Sequence, residues 1–174
     1  MAFIYGPVCP GMLYDAVARF AGDAEPAAMA DPVVEMGWSA VLVPQTFGGG
    51  EGTLADLGAI VEALAAQARD VPVIEDCGVA PLMLLHGADP QRAGAWLPAV
   101  CDGSVRLAWL GGSPQALDAT LVSARRQGEG YVLQGAVQGA QVAAQATHLL
   151  VPATRQGNDG ARAPDLQRCA ASGA

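Results

Sequence analysis

Two patterns of hydrophobic and polar positions follow one another along the chain. Through residues 1–103 apolar side chains recur at helical spacing, and from Ser104 onward they fall into short runs between glycine-rich or polar turns. Leu13, Ala16, Val17 and Phe20 predict a first amphipathic helix over 12–21, closed by Gly22. A short helix over 27–36 follows, with Asp31 as its cap and Pro32 at its first helical position. Gly37 ends it, Trp38 to Val43 is a short apolar run, and Pro44 with Gly48, Gly49 and Gly50 makes a loop that cannot be helix. Thr53 then caps a helix whose Leu54, Leu57, Ile60, Val61 and Leu64 share one face. Beyond a connector at 70–74, a helix from about Asp76 to His86 carries Val79, Leu82, Met83 and Leu85 inward, with Pro81 in its first turns. The next helix takes Asp89 as N-cap and Pro90 as its first residue, with Trp96 and Leu97 inward.

Residues 104–152 carry four strand-like runs: Val105 to Leu110, Ala119 to Ala124, Tyr131 to Leu133 and His148 to Val151. Residues 153–174 are Ala, Arg, Gly, Gln and polar residues without a period, and are expected to be irregular or disordered. The succession is α+β: an N-terminal helical domain over 1–103, a partial β domain over 104–152 and a tail.

Composition narrows the function classes. Hydrophobic residues make up 52% and charged residues 15% of the 174, which points to a packed protein with subunit contacts. The net charge is −8, and every basic side chain is arginine, nine in all. Neither nucleic acid nor an anionic membrane is attracted to such a surface. Cys9, Cys77, Cys101 and Cys169 are scattered without a C-x-x-C pair, and there are two histidines, so a zinc site is not expected. No secretory signal or membrane-spanning run is visible, which leaves a cytoplasmic protein with reduced thiols as the expectation.

The stretch Glu35 to Ala66 runs helix, Gly37-Trp38, apolar run, Pro44, Phe47, Gly48-Gly49-Gly50, helix, and it resembles the acyl-CoA dehydrogenase family. Gln91, Trp96, Leu97, Pro98, Val100 and Gly103 match a second family pattern, and the hairpin Gly128 to Gly135 and the strand Ala146 to Val151 match two more. The resemblance implies an N-terminal all-α helical bundle domain followed by part of a middle β-barrel domain. Family members remove two hydrogens from an acyl-CoA: a glutamate takes the α-proton and the β-hydrogen leaves as hydride to FAD. That base usually lies in a C-terminal helical domain with no counterpart here, so Glu62 and Glu75 read as solvated helix-face carboxylates.

The resemblance also locates flavin contacts, and this chain has changed them. Leu110 stands where the family has a ring-contacting threonine, Gly111 where it has glutamate, Gly139 where it has the tryptophan that packs on the ring, and Gln141 where it has a second threonine. Each lost hydroxyl removes a hydrogen bond of about 1 kcal/mol. The cofactor-side candidates, by position, are Trp109, Leu110, Ser113 and Gln141; Trp109 is either a substitute stacking surface or a filler of vacated volume, and Ser113 a shifted contact or a turn residue. Cys77, Val79, Leu82 and Met83 border the acyl pocket by resemblance, and core packing explains them as well. Arg125 and Arg126 read as a CoA phosphate clamp or a solvated pair, and His86 as a helix C-terminal cap.

The functional expectation is a degenerate or partial acyl-CoA dehydrogenase-like subunit of a homo- or hetero-oligomer, acting on an acyl-CoA, with FAD held in the complex. The alternatives are a non-catalytic fragment or association module of the same fold, or one part of an intact dehydrogenase.

Overall fold

The computed structural model describes residues 6–23, 32–87, 90–110, 122–128, 130–137, 146–155 and 167–169. They belong to two compact units, residues 1–104 and 105–174, each taken by itself below.

The helical unit contains α1 (Met12–Asp23), α2 (Pro32–Glu35), α3 (Leu54–Ala66), α4 (Ala80–Gly87) and α5 (Pro90–Cys101). Short 3₁₀ turns at Trp38–Ala40 and Gln45–Phe47 and a π-helical turn at Ile74–Val79 complete it. Val17 and Ala21 of α1 meet Leu57, Ile60, Ala63 and Leu64 of α3 in one core that also takes in Val33, Trp38, Leu42, Val73 and Cys77. Trp38 is 3% exposed and packs in a T-shaped pair with Phe20, with ring centroids 5.8 Å apart. Truncating so large a buried aromatic costs about 3–5 kcal/mol.

Thr53 caps α3 as its sequence position predicts: its hydroxyl accepts the Asp56 N–H at 3.3 Å, and the Asp56 carboxylate accepts the Thr53 N–H at 2.7 Å. At the other end the Arg69 N–H reaches Leu64 O at 3.0 Å and the Ala68 N–H reaches Ala65 O at 2.9 Å, the hydrogen-bond pattern of a Schellman cap. Ala68, with φ 51°, occupies the left-handed position that glycine normally fills. The Arg69 side chain then donates from Nε to Ala21 O at 2.8 Å, satisfying a carbonyl in the last turn of α1.

The glycine-rich loop is closed by its own backbone. Gly50, Glu51 and Gly52 donate to the carbonyls of Ala40, Val43 and Val41 at 2.8, 2.9 and 2.7 Å, so an irregular segment leaves these polar groups paired. Gly49 is required by space, because a Cβ there would lie 1.9 Å from Val43 O.

Periodicity did not select the buried face of α4. The segment is apolar almost all round, and Ala80, Pro81 and Leu84 are buried, whereas Val79, Leu82, Met83 and Leu85 are half-buried. The expected start at Asp76 is also corrected: the helical path begins at Ile74 with a π turn, in which the Ala80 N–H donates to Glu75 O. An α-helical path would drive the Pro81 ring against the carbonyl four residues back, at Cys77, and the wider turn relieves that clash.

The β unit has β1 (Leu107–Trp109), β2 (Val122–Gln127), β3 (Gly130–Gly135), β4 (His148–Val151), β5 (Thr154–Arg155) and β6 (Gln167–Cys169). They make two three-stranded mixed sheets, ordered β1-β4-β6 and β3-β2-β5. β2 and β3 form the hairpin that their sequence predicts, with Ala124 opposite Leu133 and Arg126 opposite Tyr131. β1 and β4 pair in parallel, and β2 and β5 likewise. The span expected to be irregular supplies β5 and β6, which pair with backbone groups that β2 and β4 would otherwise leave open. The disorder expected of the remaining tail lies outside the described residues, as do the caps at Asp31 and Asp89.

Candidate functional site

The acyl-side candidates lie on the π turn and α4. Gly78 brings the turn so close to α3 that a Cβ would lie 2.9 Å from Leu57 Cδ2. Cys77 beside it is fully buried in the core with Leu57, Ile60 and Val73, and Leu82 packs against that core from its edge. Val79 and Met83 are half-buried and four residues apart, which sets them one above the other on a helix. Thus two of the four candidates fill the core and two line a partly open face. The sequence reading missed the π turn; its signal is Pro81 standing four residues after Cys77, next to a glycine that permits close packing. Such turns occur often at functional sites.

The cofactor-side candidates divide differently. Trp109 ends β1, opposite Leu150 of β4, and strand alternation gives it the same face as Leu107, His148 and Leu150. Its indole is half-buried. Leu110 follows at once, and its N–H donates to Leu150 O at 2.8 Å. Its side chain packs on the opposite face with Val122, Ala124, Val151 and Ala153. Both its amide and its side chain are therefore taken up by the sheet. Ser113 and Gln141, with Gly111 and Gly139, lie outside the described residues.

Of the cofactor-side candidates, the described Trp109 and Leu110 do not by themselves fit a flavin ring. The described strand offers one flat side chain, Trp109, no hydroxyl, and a Leu110 amide already paired. The acid and nucleophile inventory is equally plain. Glu62, read as a solvated carboxylate, instead accepts the backbone N–H groups of Val8 and Cys9 at 2.7 and 3.0 Å. Burial, together with the neighbouring Asp102 carboxylate, pushes the Cys101 thiol above its usual range, which disfavours the thiolate. Among the described residues no group of His, Cys, Asp or Glu could hold a metal ion, and no helix is long and apolar enough to cross a membrane. Arg125 and Arg126 are exposed on the hairpin, and Arg155 lies over the Tyr131 ring at 5.8 Å.

The helical unit corresponds to a described family. The model of the acyl-CoA dehydrogenase N-terminal domain matches residues 12–104. Among solved structures, the ChsE4-ChsE5 complex from Mycobacterium tuberculosis matches 99% of this chain and 49% of its own, with 21% identity and a TM-score of 0.73. The Tcur3481-Tcur3483 steroid ACAD matches 91% of this chain and 46% of its own, with 16% identity and a TM-score of 0.65. A glutaryl-CoA dehydrogenase from Mycobacterium smegmatis in complex with FADH2 matches 84% and 44%, with 13% identity and a TM-score of 0.69. At these identities the likeness is one of fold, and the chain spans about half the length of each of these structures. No curated protein matches it in sequence.

Proposed function

The chain belongs to the acyl-CoA dehydrogenase family, and on that premise we propose that it is a degenerate or partial subunit of a heteromeric assembly catalysing flavin-dependent α,β-dehydrogenation of an acyl-CoA thioester. The observation that carries this reading is Leu110. Where the family resemblance implies a hydroxyl at the flavin ring, this chain has a side chain packed among Val122, Ala124 and Val151 and an amide bonded to Leu150 O. A strand so committed holds the sheet together and leaves the ring to be bound elsewhere. The flavin is then bound by a partner, and this chain contributes the helical unit with the half-buried Val79 and Met83 face.

Two of the similar structures favour this arrangement, since one is named as a complex of two proteins and the other as a paired steroid ACAD. Cys9, Cys77 and Cys101 are thiols rather than half-cystines, in keeping with a reducing compartment such as the cytoplasm. Co-expression with a candidate partner subunit tests the reading. The complex should retain FAD and reduce an electron-accepting dye when given acyl-CoA. A complex that forms without flavin or activity would favour the rival account, an association module of the same fold.

A further inference from the structure

The segment before α1 is held in an unusual way. Residues 6–10 carry Pro7 and Pro10, which stiffen a short stretch that bends at Val8 and Cys9, and join α1 through Gly11, whose φ of 156° lies in a region open mainly to glycine. The segment buries little: Val8 is 87% exposed, Gly6, Pro7 and Pro10 are exposed, and Cys9 alone is half-buried. Among the described residues no hydrophobic anchor fixes it. It is held instead at α3, where the two carboxylate oxygens of Glu62 accept the consecutive N–H groups of Val8 and Cys9 at 2.7 and 3.0 Å. One turn earlier, Gly58 leaves a notch in the α3 surface, and a Cβ built there would lie 3.7 Å from Cys9 Sγ. Gly58 and Glu62 are four residues apart on the same face, so notch and carboxylate are stacked.

We propose that residues 6–10 form a strap that closes on α3 through one latch, the Glu62 carboxylate, and swings open at Gly11. Two charge-assisted hydrogen bonds to a single side chain are strong while both are made, and they are lost together when that side chain changes. The stiff segment then moves as a unit, because its prolines confine the motion to the hinge. Opening uncovers the Gly58–Glu62 face of α3 and releases Cys9 to solvent, while Cys77 in the core below stays buried.

The test is alkylation of the full chain by iodoacetamide under native conditions, with each cysteine followed separately by peptide mass spectrometry. Glu62→Ala removes the latch and should raise the labelling rate of Cys9 roughly tenfold or more, as loss of two bonds to a charged group implies. Gly58→Leu fills the notch with the latch in place and should raise it as well. Both substitutions introduce good helix formers, so α3 is kept. In both variants Cys77 should remain unlabelled. An unchanged Cys9 rate in the two variants would overturn the proposal, and so would a Cys77 rate that rose in step with Cys9, since the opening would then be global.

Discussion

The N–H of Leu110 donates to the carbonyl of Leu150 at 2.8 Å, which extends the parallel pairing of β1 with β4 one residue past the end of β1. A backbone group so paired is not available to a cofactor, and the leucine side chain fills the other face of the same sheet. Restoring the hydroxyl implied by the family resemblance therefore does not restore the site. Leu110→Thr should lower stability by about 1–2 kcal/mol, through lost apolar packing at a half-buried position, without producing flavin binding. Denaturant unfolding, together with the absorbance of the variant after incubation with FAD and gel filtration, checks both parts.

The loop after the second 3₁₀ turn leaves no space at residue 49. Gly49→Ala puts a methyl group onto Val43 O, and the three backbone bonds from Gly50, Glu51 and Gly52 must shift to make room. A loss of roughly 2–4 kcal/mol is expected, in the upper range for single substitutions. Thermal unfolding measures it.

Ala68 offers the opposite case. It adopts φ 51° at the end of α3, a conformation that is strained by about 1–2 kcal/mol for an L-residue with a Cβ. Ala68→Gly removes the strain and adds unfolded-state entropy, so the expected net gain is about 0.5–1 kcal/mol. Calorimetry should show the melting temperature rising.

Acid stability should depend on two aspartates, the half-buried Asp56 and the exposed Asp102. The Thr53 backbone and side-chain hydrogen bonds hold the Asp56 carboxyl below its ordinary value, and those from the Ser104 side chain and backbone do the same for Asp102. A carboxylate with a depressed folded-state pKa contributes stability above its unfolded pKa of about 3.9, and that contribution disappears as pH falls through the lowered folded value. Asp56→Asn and Asp102→Asn should therefore each destabilise the chain near neutral pH and flatten its loss of stability below pH of about 4. Melting temperatures across an acid series read this directly.

Local chemistry was legible in the sequence. Thr53 as a cap, the β2–β3 hairpin around Gly128, and the strand His148–Val151 all follow from residues within a few positions of one another. Long-range pairing was not. Nothing near Glu62 in the sequence points to Val8 and Cys9, 54 and 53 residues away, nor does anything in β1 announce a parallel partner at β4. The face of α4 was hidden for another reason: an apolar run has no phase, and the π turn that sets its start arises from a proline clash that periodicity does not register. Of the candidate site, family resemblance offers positions to consider, but the commitment of Leu110 to the sheet appears only in the hydrogen bond to Leu150.

The visible absorption spectrum of the purified chain, loaded with excess FAD and passed through gel filtration, tests the central claim most directly. The account predicts no flavin band from the chain alone and a band when the same procedure is applied to its complex with a flavin-binding partner. A stoichiometric band from the chain alone would contradict it, because the replaced positions around Trp109 and Leu110 would then hold the ring without help.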